Sequence, residues 1–200
     1  MNKILKNTLI LTAITVIAGL ALGAVYEVTK TPIANAQEKA KQEACQQVYP
    51  EADAFDPLEV DQAAAEQAIK DMGTNATVDE VYAAQMDGEE VGYVVTTTDK
   101  DGYGGNIQIS VGIMSDGTVN GISILSISET AGLGMRATEP KFYNQYAGKQ
   151  AERFYVAKDG GEGEPVDALS GATITSRAVT GAVNTALGYY QNALGGSGNE

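Results

Sequence analysis

The sequence predicts an α+β protein in which an N-terminal transmembrane helix precedes a soluble domain, an antiparallel sheet packed by helices. Three observations carry this prediction. Residues 9–25 contain no charged side chain, residues 78–127 alternate apolar and polar side chains between Asp-Gly pairs, and residues 178–190 repeat apolar side chains every three or four positions. These patterns are typical of a membrane span, a meander of strands and an amphipathic helix, respectively.

The first element is a membrane anchor. Leu9 to Val25 is 17 residues long, the lower limit for a helix that crosses a bilayer. Lys3 and Lys6 precede it, which favours a cytoplasmic N-terminus and a C-terminal domain outside the cytoplasm. The alternative is a cleaved signal peptide, because residues 34–36 have the small-x-small form of a cleavage site. That site is distant from the apolar segment, so we expect residues 1–31 to be retained as cytoplasmic N-terminus and anchor.

Residues 32–60 are predicted to form a juxtamembrane helix and a linker. Pro32 suits the first turn of a second helix, and the helical pattern ends near Pro50. Residues 51–59 are acidic and contain a proline, which predicts a loop. Residues 62–72 are rich in alanine and end before a Gly-Thr-Asn sequence, which predicts a helix.

A sheet is predicted where the hydrophobic period changes to two. Asp-Gly pairs at 87–88, 101–102 and 116–117 separate the alternating segments, and such pairs are strong hairpin signals. The segments therefore indicate an antiparallel meander with one buried face. The predicted strands are residues 78–86, 91–95, 107–113 and 119–127.

The C-terminal part of the domain returns to mixed structure. Residues 142–150 are predicted as a short helix, residues 153–157 as a last strand and residues 159–164 as a Gly/Glu loop. The amphipathic helix follows. The soluble domain is therefore predicted to span residues 61–194, with a disordered tail at 195–200.

Composition excludes several functions. The formal net charge is −13, and residues 32–200 hold 10 basic against 25 acidic side chains, so a nucleic-acid partner is excluded on charge. The chain has no histidine, which rules out a Ser-His-Asp triad and histidine-ligated metal or haem. Its single cysteine, Cys45, allows no intrachain disulfide and no iron–sulfur cluster held by this chain alone. Its helical context predicts a small buried or interfacial residue, and the alternative is a free reactive thiol.

Residues 167–173, with the sequence DALSGAT, lead directly into the last helix. Thr175 or Ser176 is predicted to cap that helix. The free N–H groups and the positive dipole end of a helix start form a phosphate site. Thr173 therefore offers a hydroxyl beside such a site, with almost no bulk on its N-terminal side. The alternative is an ordinary turn into a helix.

Two glycine-rich loops adjoin the predicted sheet. In the first, Gly132 and Gly134 let backbone N–H groups approach a ligand closely. Glu129, Thr130 and Leu133 add an acceptor, a hydroxyl and an apolar contact. This mixture suits a flat ring with hydrogen-bonding edges, and the alternative is a plain turn.

The second loop places Tyr103 between Gly102 and Gly104. Tyr103 could stack on a planar ligand, but the interpretation we favour is that it covers a sheet edge. Lys158 could neutralise a phosphate, and the alternative is a solvated lysine.

Three of these segments resemble the signatures of one family. Residues 167–173 resemble the acceptor motif, Asp-x-x-Ser-Gly-Ala-Thr, of bacterial proteins that carry covalently attached FMN. Residues 129–134, ETAGLG, resemble a second signature, usually Glu-Thr-Pro-Gly-Leu-Gly, with Ala131 in place of proline. Residues 102–107 resemble a third. With the anchor and the acidic outer domain, the chain is similar to the family of G subunits of Rnf electron transport complexes.

The resemblance implies a membrane-anchored flavoprotein electron carrier, in a translocase that couples electron transfer between ferredoxin and NAD to ion translocation. A flavin transferase would attach FMN from FAD to Thr173 through a phosphoester. Other integral membrane subunits would be partners, no metal is expected, and the flavin would do the chemistry. The implied FMN-binding residues are Thr173, Ser170, Gly171, Ala172, Asp167, Glu129, Thr130, Leu133, Gly134, Tyr103 and Lys158.

Two alternatives stay open on the sequence. The same motif occurs in the C subunit of the sodium-pumping quinone reductase and in free-standing FMN-binding proteins of extracellular electron transfer. An alternative of another class is a non-redox extracytoplasmic binding or structural domain, in which the glycine-rich loops are turns.

Overall fold

The computed structural model describes residues 2–195, so most of the tail predicted at 195–200 lies outside the described residues. The chain forms two compact units that divide between Lys41 and Gln42. The first unit is helical. The second holds the sheet and the remaining helices.

Helix α1 runs from Lys3 to Val48 and is the one described helix long and apolar enough to cross a membrane. Its large apolar side chains from Ile4 to Ile33 are exposed, as contact with lipid requires. The prediction of a separate second helix at Pro32 is wrong, because the helix continues through this residue. Pro32 removes one backbone donor, but the residues on either side are compatible with a helix and continue it.

A six-stranded antiparallel sheet forms the centre of the second unit, with the strands in sequence order from one edge to the other. The turns at the three Asp-Gly pairs fall between these strands, and the predicted meander is confirmed. The strands are β1 Ala54–Leu58, β2 Ala76–Met86, β3 Glu89–Asp99, β4 Ile107–Met114, β5 Thr118–Ser126 and β6 Lys149–Gln150.

Strand β1 contradicts the prediction of a loop at residues 51–59. It pairs antiparallel with β2, from Ala54 opposite Gln85 to Leu58 opposite Val81. A proline lacks a backbone donor, but an edge strand uses only one side for pairing. The acidic, proline-containing segment can therefore form the edge of the sheet.

Two helices cover one face of the sheet. Helix α2, Gln62–Met72, is capped by the Asp61 carboxylate, which accepts hydrogen bonds from two backbone N–H groups. Helix α4, Thr173–Tyr189, buries its apolar stripe as predicted. The core between these helices and the sheet contains Val95, Ile107, Ile109, Val111, Ile113, Val179, Ala182, Val183, Ala186 and Leu187.

The end of α1 lies against the opposite face of the sheet within the second unit. Val48 packs so closely that a Cβ at Gly112 would lie 2.6 Å from the Val48 carbonyl oxygen. The Tyr49 hydroxyl donates to the Val91 carbonyl at 2.6 Å. Cys45 is buried beside them, as the sequence predicts.

Short elements connect the sheet to α4. A 3₁₀ turn at Gly134–Thr138 precedes α3, Pro140–Tyr143, which is shorter and earlier than the predicted helix at 142–150. Strand β7, Phe154–Val156, confirms the predicted strand. It pairs in parallel with β8, Glu164–Val166, which the sequence did not predict because three residues give too short a pattern.

Candidate functional site

Most of the predicted site residues line a cavity of about 630 Å³ at one end of the sheet. The cavity lies between the loop that holds Tyr103, the loop after β5 and the start of α4. It brings together nine of the predicted residues and two that the sequence did not indicate for this role, Ile174 and Thr175. The lining residues are Tyr103, Glu129, Thr130, Leu133, Gly134, Lys158, Gly171, Ala172, Thr173, Ile174 and Thr175.

Helix α4 begins at Thr173, two residues before the predicted cap. Ala172 occupies the cap position and makes no side-chain hydrogen bond. The prediction that Thr175 or Ser176 caps the helix is wrong, because both side chains are buried within its first turn. A helix without a side-chain cap leaves its first N–H groups for an anionic ligand.

Ser176 instead fixes the turn that precedes the helix. Its fully buried Oγ accepts a hydrogen bond from the Leu169 N–H at 2.9 Å and donates to the Ala172 carbonyl at 2.9 Å. Thr180 Oγ1 donates to the Ser176 carbonyl at 2.8 Å, so the Tyr146 hydroxyl, 2.9 Å away, must donate to Thr180. Burial raises the pKa of Tyr146, which keeps this donor protonated. The turn at residues 169–172, directly before α4, therefore rests on a buried, fully paired hydroxyl network.

Lys158 contacts the Thr173 hydroxyl directly, because its Nζ donates to Thr173 Oγ1. Lys158 lies in a 3₁₀ turn, Ala157–Asp159, and the next side chain is held by Arg177 of α4. The Arg177 guanidinium donates to both Asp159 carboxylate oxygens, at 2.7 and 2.5 Å, and this pairing lowers the pKa of Asp159. The lysine that is isolated in the sequence thus lies in contact with the Thr173 hydroxyl.

Glu129 connects the two glycine-rich loops. Its Oε1 accepts a hydrogen bond from the Gly104 N–H at 3.2 Å. Gly134 lies against the same carboxylate, since a Cβ there would lie 2.7 Å from Glu129 Oε2 and 2.6 Å from Thr175 Oγ1. A side chain at position 134 would therefore displace Glu129 or Thr175, which both line the cavity, and glycine avoids this clash.

Three large apolar side chains are exposed around the cavity. Tyr103 is 71% exposed, Ile174 46% and Leu133 43%. The interpretation that Tyr103 covers a sheet edge is wrong, because its ring is largely solvent-accessible and lines the cavity. Ile174 was missed, although its apolar side chain lies off the buried stripe of α4, which is a usable signal.

Asp167 and Ser170 do not line this cavity. They face a neighbouring cavity of about 860 Å³, which Lys158 also lines. The backbone of Asp167 is held by Gln145, whose side chain accepts from the Asp167 N–H at 2.8 Å and donates to its carbonyl at 3.2 Å. The structure thus separates these two motif residues from the other predicted site residues.

Comparison with known proteins gives the family. Residues 102–188 match the model of an FMN-binding domain, and residues 1–48 match that of the RnfG N-terminal region. The chain is 34% identical to the G subunit of the Na(+)-translocating ferredoxin:NAD(+) oxidoreductase complex of Acetobacterium woodii, over 94% of this chain and 92% of that protein. The chain belongs to the G-subunit family of Rnf complexes. This confirms the predicted family and FMN-binding domain, and decides against the C subunit and the non-redox domain.

Two other G subunits agree with this assignment, and one solved structure is similar to part of the chain. The G subunit of the proton-translocating ferredoxin:NAD(+) oxidoreductase complex of Clostridium ljungdahlii is 33% identical, over 98% of this chain and 96% of that protein. The G subunit of the ion-translocating oxidoreductase complex of Methanosarcina acetivorans is 32% identical, over 94% and 95%. The crystal structure of Shewanella oneidensis NqrC matches with 30% identity and a TM-score of 0.46, over 56% of this chain and 58% of that chain.

The cavity of this chain fits FMN. The uncapped first turn of α4 and the ammonium group of Lys158 suit a phosphate. The apolar side chains at the rim suit the faces of an isoalloxazine ring, and Glu129 offers an acceptor for a ring N–H. The donors and acceptors thus match both ends of the cofactor.

Proposed function

We propose that this chain is the membrane-anchored electron carrier of an ion-translocating ferredoxin:NAD oxidoreductase complex, with FMN joined by a phosphoester to Thr173 Oγ1. The observation that carries the proposal is the position of Thr173. It is the first residue of an uncapped helix, it lines the cavity, and its hydroxyl accepts a hydrogen bond from Lys158.

Bound FMN would supply the capacity to accept electrons and pass them on. The chain's own residues would hold it. The N–H groups at the start of α4 and Lys158 would bind the phosphate, Tyr103 and Leu133 would contact the ring, and Glu129 would orient its polar edge. Since the link is at the phosphate, these ring contacts are free to set the redox potential.

The remaining steps would belong to partners. The chain has no histidine and one cysteine, so it lacks the ligands for a haem or an iron–sulfur cluster of its own. Residues 9–25 contain no charge that could bind an ion within the membrane. We therefore assign ferredoxin oxidation, NAD reduction and ion conduction to other membrane subunits, and FMN attachment to a flavin transferase.

The proposed arrangement places residues 1–31 as cytoplasmic N-terminus and anchor, 32–41 as connection, and the second compact unit, which begins at Gln42 and not at the predicted residue 61, as FMN domain outside the cytoplasm. Lys3 and Lys6 support this orientation. Protease is added to cells whose outer envelope is permeabilised and whose cytoplasmic membrane is intact. It should digest a C-terminal epitope tag and spare an N-terminal one. Protection of the C-terminal tag from the protease would contradict the proposed orientation.

Attachment is tested by expression with a flavin transferase. The denatured full chain should carry flavin fluorescence on a gel, and Thr173→Ala should abolish the fluorescence while Thr173→Ser should retain it. Ser170→Ala is the matched control, because it removes an exposed hydroxyl three residues away. If Ser170→Ala lost the fluorescence and Thr173→Ala retained it, the attachment site would be Ser170 and not Thr173.

A further inference from the structure

The contact between the Lys158 ammonium group and the Thr173 hydroxyl can do more than bind a cofactor. We propose that Lys158 is a catalytic residue in the attachment reaction, where its ammonium group stabilises the negative charge that develops on Thr173 Oγ1. The inference rests on the proposed function, because it requires Thr173 to be the acceptor. It assigns to this chain a part of the chemistry otherwise left to the transferase.

The reaction exchanges the phosphoanhydride bond of FAD for a phosphate ester bond. Thr173 Oγ1 attacks the flavin-side phosphorus of FAD, and the Oγ1–P bond forms while the bond from that phosphorus to the bridging oxygen breaks. AMP leaves with that oxygen, and the threonine proton passes to a base of the transferase or to water. No electrons are transferred, and the co-reactant is the dinucleotide itself.

The contact is with the reacting atom. Lys158 Nζ donates to Thr173 Oγ1, the oxygen that would form the new bond. A hydrogen bond from a cation to a neutral hydroxyl is weaker than one to an oxygen that is losing its proton, so this donor favours the transition state over the ground state. A preformed donor of this kind is the arrangement that stabilises developing oxyanions in enzymes.

Two tethers to α4 keep Lys158 in place. Before it, the buried Asn184 amide accepts from the Phe154 N–H at 2.8 Å and donates to the Phe154 carbonyl at 2.9 Å. After it, Asp159 is bound by both donors of Arg177, one helical turn beyond Thr173. The chain on both sides of Lys158 is therefore bonded to the helix that begins at Thr173, which keeps the ammonium group within reach of the hydroxyl.

The charge of the rest of the domain opposes binding of the dinucleotide. Residues 32–200 hold 25 acidic side chains against 10 basic ones, so the domain repels an anionic dinucleotide. Arg177 is already paired with Asp159, and Arg136 with Glu139 at 3.5 Å. Lys158 lines both neighbouring cavities and is the cation in contact with the acceptor hydroxyl among the described residues.

The test is the initial rate of flavin incorporation into the full-length apoprotein in detergent, with purified flavin transferase and FAD, at varied acceptor concentration. Lys158→Gln should lower kcat on the order of ten- to a hundredfold with little change in KM, because one charge-assisted donor is lost. Lys158→Arg should restore most of the rate. Lys70→Gln, an exposed lysine of α2, is the matched control and should react at the wild-type rate.

Three outcomes would overturn the inference. One is an unchanged kcat for Lys158→Gln, and another is a loss confined to KM, which would make Lys158 a docking contact for the transferase. The third is an equal loss in Lys158→Gln and Lys158→Arg. The melting temperature of each variant is measured to check that the fold is intact. Absence of labelling in the wild type would instead refute the proposed function, and this inference with it.

Discussion

Replacement of Ser176 by alanine should loosen the turn at residues 169–172 that precedes α4. The serine Oγ is fully buried and accepts from the Leu169 N–H, which is itself buried. Alanine leaves that donor without its partner, at a cost of about 1–3 kcal/mol. The higher helix propensity of alanine offsets roughly 0.5 kcal/mol of this. The Ala172 carbonyl keeps its bond from the Ser176 N–H, so we expect a net destabilisation of about 1–2 kcal/mol.

The assay can use the single cysteine of the chain. Cys45 is 3% exposed, so a fluorogenic thiol reagent reports thermal unfolding of the full chain in detergent. The expected destabilisation corresponds to a melting temperature lower by roughly 2–8 °C for a domain of this size. Ser170→Ala, at an exposed position, should leave the melting temperature unchanged. An equal melting temperature for the two variants would refute the role of Ser176 in fixing the turn.

Three further predictions concern the surroundings of the site. Gly134→Ala should displace the Glu129 carboxylate, because the new Cβ would lie 2.7 Å from its Oε2, and should shift the absorption bands of bound flavin. Asn184→Ala should lower the free energy of unfolding by about 2–4 kcal/mol, since both backbone groups of Phe154 lose their partner, measured by the same thiol assay. Burial raises the pKa of Asp99 to about 6 from its ordinary value of 3.8, so its stabilising contribution is complete below about pH 4 and is lost as pH rises through 6. Asp99→Asn should remove this fall in the melting temperature.

Each of these predictions has a contradicting result. Unchanged absorption bands in Gly134→Ala would place the flavin ring away from Glu129. A melting temperature of Asn184→Ala at the wild-type value would show that water replaces the amide. An identical pH dependence of the melting temperature in Asp99→Asn and the wild type would assign the fall to other carboxylates.

Local patterns predicted those elements whose structure is decided locally. The meander follows from period-two segments between Asp-Gly pairs, and the buried face of α4 follows from its three- and four-residue spacing. Strand β1 could not be predicted in this way, because its partners in β2 lie 23 to 31 positions away and its own composition indicates a loop. Tertiary pairing overrode local propensity there.

The sequence predicted most residues that line the cavity, but it did not predict how their side chains contact one another. The glycine-rich loops, the DALSGAT segment and Lys158 supplied nine lining residues of the cavity. The start of α4 at Thr173 was missed because a serine or threonine is the usual cap, whereas here the Ser176 hydroxyl serves the preceding turn. The contact of Lys158 with Thr173 spans 15 residues and lies beside the Asp159–Arg177 pair, and no local pattern indicates either.

The central claim is that FMN is esterified to Thr173, and the mass of the intact chain tests it most directly. After expression with a flavin transferase, the mass should exceed that of the unmodified chain by one FMN less one water. The addition should map to the peptide that contains Thr173 and vanish in Thr173→Ala. A wild-type chain of unmodified mass, or an addition that persists in Thr173→Ala, would contradict the account.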